Sequence, residues 1–99
     1  MSRSLVHWRA VPREALAWWE WGDEFVFRNE LTGATHLLPA SSARILLALV
    51  ESDSGSTVHD LVLGLGNGAA WRNQSECTEA VEAALAEFEQ QGLAERQGS

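Results

Sequence analysis

Apolar and polar positions along residues 24–50 follow a period of two and then one of 3.6, with a glycine turn and a proline between the two regimes. Phe25 and Phe27 alternate with Val26 and Arg28, which predicts a strand over residues 24–29. Glu30, Leu31, Thr32 and Gly33 then reverse the chain into a second short strand over residues 34–38. Pro39 stops that strand. Ser41 or Ser42 is placed to cap the following helix, which Ile45, Leu46, Leu47, Leu49 and Val50 make apolar nearly all round to about residue 51.

Upstream, residues 5–11 read as extended, Pro12, Arg13 and Glu14 interrupt, and residues 15–21 resume a strand-like stretch. Gly22 and Asp23 are a turn signal between two aromatic runs, so residues 17–21 and 24–29 pair as a hairpin and the strand over 34–38 completes a three-stranded meander. The rim of such a sheet presents unpaired N–H and C=O groups that another chain can bond. Downstream, Thr57 and Asp60 resemble a capping box for a short helix whose Val58, Leu61, Val62 and Leu65 form one apolar stripe. A glycine-rich loop carrying Trp71 leads to Asn73 and Glu76, a second capping pair, and to a long third helix that Gly92 stops. Cys77, Val81, Ala84, Leu85 and Phe88 share one face of that helix, and five Glu charge the remainder. Residues 93–96 either add a final strand or fray. Strands first and helices afterwards give an α+β class: a winged-helix-like, three-stranded antiparallel sheet followed by three helices, the last two forming a helix-turn-helix.

Composition narrows the function classes. Ninety-nine residues make one domain over 1–99, enough for a single core and a binding surface but not for an active site enclosed between two lobes. A net charge of −7, with seven Arg and no Lys, repels phosphate backbones and anionic lipid, which argues against nucleic acid and membrane partners. The third helix, which a DNA-binding winged helix offers to the major groove, carries no basic residue between Ser75 and Gln91. The start of the chain lacks the apolar stretch of a signal peptide, and the apolar run over 45–50 falls far short of the ~20 residues of a membrane span. A cytoplasmic location is expected.

Catalytic and metal chemistry finds little support. His7, His36 and His59 are scattered, and Cys77 has no thiol or imidazole partner at a ligating interval, so no metal or other cofactor is expected. Cys77 also lies on an apolar stripe with acidic neighbours, which raises a thiol pKa and suits packing better than nucleophilic attack. The Gly64 to Gly68 run lacks a preceding strand and a phosphate-binding Lys. Peptide binding suits the remaining features. An open strand containing Ala34, Thr35, His36, Leu37 and Leu38, beside an apolar helix face, can take an extended peptide as a further strand. Of the five Trp, Trp8, Trp18, Trp19 and Trp21 precede residue 22, and at least two of them are expected to pack on the hairpin.

Several short stretches together resemble a known family: Trp18 to Trp21, Glu24 to Asn29, Gly33-Ala34-Thr35-His36-Leu37-Leu38, Ile45 to Val50 and Gly92-Leu93-Ala94-Glu95. They are similar to the PqqD-like peptide chaperones, the recognition elements for ribosomally made, modified peptides, and most to the branch associated with an HPr-kinase-like protein. The resemblance implies a non-enzymatic chaperone that holds a leader peptide along its third strand and against its third helix and presents it to a modifying enzyme. Carried onto this chain, the peptide-binding positions are Ala34, Thr35, His36, Leu37 and Leu38 with Cys77, Val81, Ala84 and Phe88. The alternatives are a winged-helix regulator using Arg44, Arg72 and Arg96, or an accessory subunit of the HPr-kinase-like system, with Ser41 and Ser42 as phosphate acceptors. An open edge also permits a homodimer.

Overall fold

The computed structural model describes residues 6–52, 55–65 and 73–97; the glycine-rich loop with Trp71 and Arg72 lies outside them. The meander forms as three antiparallel strands in the order β2 (Leu16–Trp21), β3 (Glu24–Asn29) and β4 (Thr35–Pro39). The registers run from Leu16 opposite Asn29 to Trp21 opposite Glu24, and from Arg28 opposite Thr35 to Glu24 opposite Pro39. Helices α1 (Ala40–Val50), α2 (Val58–Leu65) and α3 (Gln74–Gln91) follow, so the α+β reading holds.

The junction between β4 and α1 differs from the sequence expectation. Pro39 does not end the strand before a capping serine; it pairs with Glu24 as the last strand residue and is itself the helix N-cap, at φ −66° and ψ 161°. A proline's fixed φ suits both positions, so no linker is needed. Ser41 and Ser42 fall inside the first turn, and the helix has no side-chain cap. The other two caps form as the spacing predicts. Thr57 N donates to Asp60 Oδ2 at 3.3 Å and Asp60 N to Thr57 Oγ1 at 3.0 Å, while Glu76 N donates to Asn73 Oδ1 at 2.8 Å. At the far end of α3, Gly92 takes the left-handed conformation, φ 76°, that closes a helix most cheaply without a Cβ.

The chain ends pair with each other. β1 (His7–Ala10) and β5 (Ala94–Gln97) form a two-stranded antiparallel sheet, which settles the last segment as a strand, and a single 3-10 turn (Arg13–Ala15) joins β1 to β2. Trp8 exchanges both backbone hydrogen bonds with Ser56, at 2.7 and 2.9 Å, fastening the α1–α2 connection to β1. That approach requires Gly55, at φ +91°, because a Cβ there would sit 3.1 Å from the Trp8 carbonyl.

One core joins these layers. Phe27 and Leu38 from the sheet meet Ile45, Leu46 and Leu49 of α1, Leu61 and Val62 of α2, Val81, Leu85 and Phe88 of α3, and Leu93. Because opposed residues share a face, Leu16, Trp18, Glu20, Phe25, Phe27, Asn29, His36 and Leu38 lie on the inner face, where Trp18 and Glu20 stay exposed on β2, and Ala17, Trp19, Trp21, Glu24, Val26, Arg28, Thr35, Leu37 and Pro39 lie on the outer face.

Candidate functional site

The site begins with where the ladder bonds go. Asn29 N donates to the Ala34 carbonyl at 2.9 Å, in the register that continues along β3 and β4. Hydrogen-bonded and non-bonded pairs alternate in an antiparallel ladder, so His36 and Leu38 spend their backbone groups on Phe27 and Phe25. Thr35 and Leu37 therefore turn their N–H and C=O groups away from the sheet, and among the described residues β4 has no strand on that side. Pro39 brings no donor. The opposite edge, β2, likewise turns outward the groups of Leu16, Trp18 and Glu20. It carries a charge in Glu20, a feature that discourages strand addition, whereas β4 carries none.

The nine sequence-selected residues divide sharply. Thr35 and Leu37 are exposed, and Ala34 and His36 are half-buried. Leu38 is buried under α1, so only its neighbours can meet a ligand. On α3, Cys77, Val81, Ala84 and Phe88 are between 0 and 5 % exposed. α3 packs this stripe against α2, α1 and β5 as part of the core, the packing role that these residue types already favoured. The periodicity that marks a helix's apolar face does not say whether the protein or a ligand covers it.

Burial also governs Cys77, whose thiol pKa is raised by desolvation. A thiol reagent at pH 8 is expected to leave the folded protein untouched and to modify Cys77 only in denaturant; prompt reaction in the native state would show that the stripe opens. His36 has a different peculiarity. Its Nε2 is buried without a hydrogen-bond partner, although the residue sits on the edge strand. Buried polar atoms are rarely left so, and this one lies one ladder step from the open edge.

The tryptophans take roles that sequence alone did not separate. Trp8 is buried with the Arg96 guanidinium 5.6 Å from its ring, whereas Trp18, on the inner face and 5.9 and 6.1 Å from Phe25 and Phe27, is still 47 % exposed. Trp19 and Trp21 are on the outward face and are exposed. Arg96 also donates from Nε to Glu89 Oε2 at 3.1 Å, which occupies one of the three arginines proposed for a basic surface. A cleft of about 560 Å³ between the 3-10 turn and the end of α1 contains none of the nine residues, and strand addition does not depend on a cavity. Among the described residues, no three His, Cys, Asp or Glu side chains gather as a metal would require. No helix among them is long and apolar enough to cross a membrane.

No family model and no curated protein matches this chain. Two solved structures share its fold. One is TbiB1 in complex with the TbiA(beta) leader peptide, at TM-score 0.65 and 18 % identity over 88 % of this chain and 94 % of that one. The other is lasso peptide synthetase B1 complexed with the leader peptide, at TM-score 0.64 and 15 % identity over 90 % of this chain and 98 % of that one.

Proposed function

We propose that this protein binds the extended leader segment of a ribosomally made, modified peptide by adding it as a strand beside β4, and presents it to a separate modifying enzyme. The observation that carries the reading is the open β4 edge, where Thr35 and Leu37 offer outward ladder groups. The solved structures of the same fold support it, since both are complexes with a leader peptide. The protein itself performs no chemistry in this reading. Its enzyme partner is a peptide-modifying enzyme or an HPr-kinase-like protein, and it works in the cytoplasm as a single domain.

The role of the nine positions changes with burial. Thr35 and Leu37 hold the peptide through their backbones, while client side chains on the inner face lie beside His36, and those on the outer face beside Leu37. A client residue with a hydrogen-bonding side chain next to His36 would give Nε2 the partner it lacks. Ala34 shapes the strand entrance, and Cys77, Val81, Ala84 and Phe88 support the edge from within the core. Two residues' worth of ladder bonds, at about 0.5–1.5 kcal/mol net each, must offset an ordering cost of roughly 2–5 kcal/mol. Side-chain contacts therefore set the affinity, which is moderate.

Proline substitution tests the mode. Leu37→Pro removes an outward donor and leaves the β3–β4 bonds intact, because a proline is tolerated where the N–H faces away from the sheet. Peptides selected by display on the wild-type protein are expected to bind this variant at least about tenfold more weakly, the equivalent of 1.4 kcal/mol. Glu20→Pro, the matching change on β2, is expected to bind them normally. Equal binding by all three proteins, with native circular dichroism, rejects addition at β4.

A further inference from the structure

The outward face of the sheet is apolar where a solvated face would be polar. Trp19, Val26 and Leu37 stand opposite one another across the three strands and form a continuous row. Trp19 is 45 % exposed and Leu37 56 %, and together they leave Val26 only 6 % exposed. Trp21, in the next row, is 71 % exposed. These indoles and Leu37 leave on the order of 400 Å² of apolar surface open, the size of the largest apolar patch on an ordinary monomer, which is often functional.

The rows on either side of this centre are complementary to each other. Ahead of it stand Trp21, Glu24 and Pro39; behind it stand Ala17, Arg28 and Thr35. One row is bulky with a negative centre, and the other is small with a positive centre. Consider a two-fold axis between two such sheets, running across the strands through Val26. It reverses the strand direction and exchanges the two rows. Trp21 then lies over Ala17 of the partner copy, and Glu24 over its Arg28, each contact occurring twice, while Trp19, Val26 and Leu37 meet their own counterparts. An axis along the strands would instead set Glu24 against Glu24. Stacked sheets lie about 10 Å apart and cross at about 30°, which displaces the flanking rows by roughly 3–4 Å, within the reach of Glu and Arg side chains.

From this self-complementarity we infer that the outward sheet face is a two-fold interface with a second copy of this chain. The alternation of charge and bulk about Val26 distinguishes a copy of the chain from an unrelated partner, which would have no reason to match it. Arg28 already lies 3.7 Å from Glu30, but both side chains are about half exposed, and such a surface pair competes weakly. Stable dimers typically bury ~800 Å² per partner, so this interface, with its polar flanks included, makes a dimer that dissociates at micromolar concentration or above. Isologous contacts of this kind close on themselves. The β4 ladder groups lie in the plane of the sheet, so the dimer leaves both β4 edges open. The inference does not rest on peptide binding.

Sedimentation equilibrium over a concentration series at physiological salt tests it. The wild type is expected to dimerise, and Glu24→Arg or Arg28→Glu alone, by facing like charges twice, to weaken dimerisation at least about tenfold. The double variant Glu24→Arg/Arg28→Glu restores opposite charges across the axis and is expected to return to within about threefold of wild type. Trp21→Ala followed by Trp21→Ala/Ala17→Trp repeats the test with bulk in place of charge. All these positions are on the sheet's outer face, and native circular dichroism checks that each variant folds. A wild type that stays monomeric near 1 mM overturns the inference, as does a double charge swap no better than its singles. Peptide binding measured on the same charge variants separates the two readings, because β4 is unchanged in them.

Discussion

Phe88→Ala is expected to cost about 3–5 kcal/mol of folding stability, the range for truncating a fully buried phenylalanine. Phe88 has no exposed surface and lies on α3 in the one core that joins sheet and helices. Its carbonyl also accepts the Leu93 amide at 2.9 Å, where α3 closes and the chain enters β5. Domains of this size are stable by only about 5–15 kcal/mol, so the variant sits near its unfolding limit at 37 °C. Urea denaturation followed by tryptophan fluorescence measures the effect. The result also discriminates between two roles for this helix face. A core residue lowers stability, whereas a groove residue would lower peptide affinity and leave the unfolding free energy within about 1 kcal/mol of wild type.

Asn29→Ala is expected to destabilise by about 1–3 kcal/mol, the cost of stranding buried hydrogen-bonding groups. Asn29 is 4 % exposed and is the polar residue at the inward end of β3. Its Oδ1 accepts the Leu31 amide at 2.9 Å, and its Nδ2 donates to the Gly92 carbonyl at 3.4 Å. One side chain thus holds both the β3–β4 turn and the C-terminal cap of α3, joining the edge strand to the helix layer. Asn29→Asp keeps the acceptor for Leu31 and loses the donor to Gly92, so comparing the two variants by thermal denaturation apportions the cost. A change below about 0.5 kcal/mol for Asn29→Ala would mean that water replaces both bonds.

The strengths of the sequence lie in its local rules. Gly22-Asp23 and the stretch ending at Gly33 mark their hairpin turns because few residues reverse a strand so tightly. Thr57 with Asp60, and Asn73 with Glu76, mark two helix starts because the capping geometry spans a fixed four-residue interval. Pro39 misled for the same local reason. Proline ends many strands, but here its φ also serves as the helix cap, and nothing nearby in sequence distinguishes the two uses. The pairing of β1 with β5 was hidden because its partners stand almost at opposite ends of the chain.

The candidate site was legible to the same extent. Residues 34–38 read as a strand, and among the described residues β4 is an edge of the three-stranded sheet. The α3 stripe read as core from its residues and as a groove wall mainly through the family resemblance; the i, i+4 and i+7 spacing is identical in both. Burial decided that Cys77, Val81, Ala84 and Phe88 are core. The four early tryptophans were indistinguishable as a cluster until burial set Trp8 in the core and the register put Trp18 on the inner sheet face beside Phe27, still half exposed, and Trp19 and Trp21 on the outer one. Sequence by itself determined the meander, the order of the three helices and the caps at Thr57 and Asn73, because these depend on neighbours a few bonds away. Only the tertiary structure decided which apolar faces are spent on the core and which remain open, because that depends on residues brought together from distant parts of the chain.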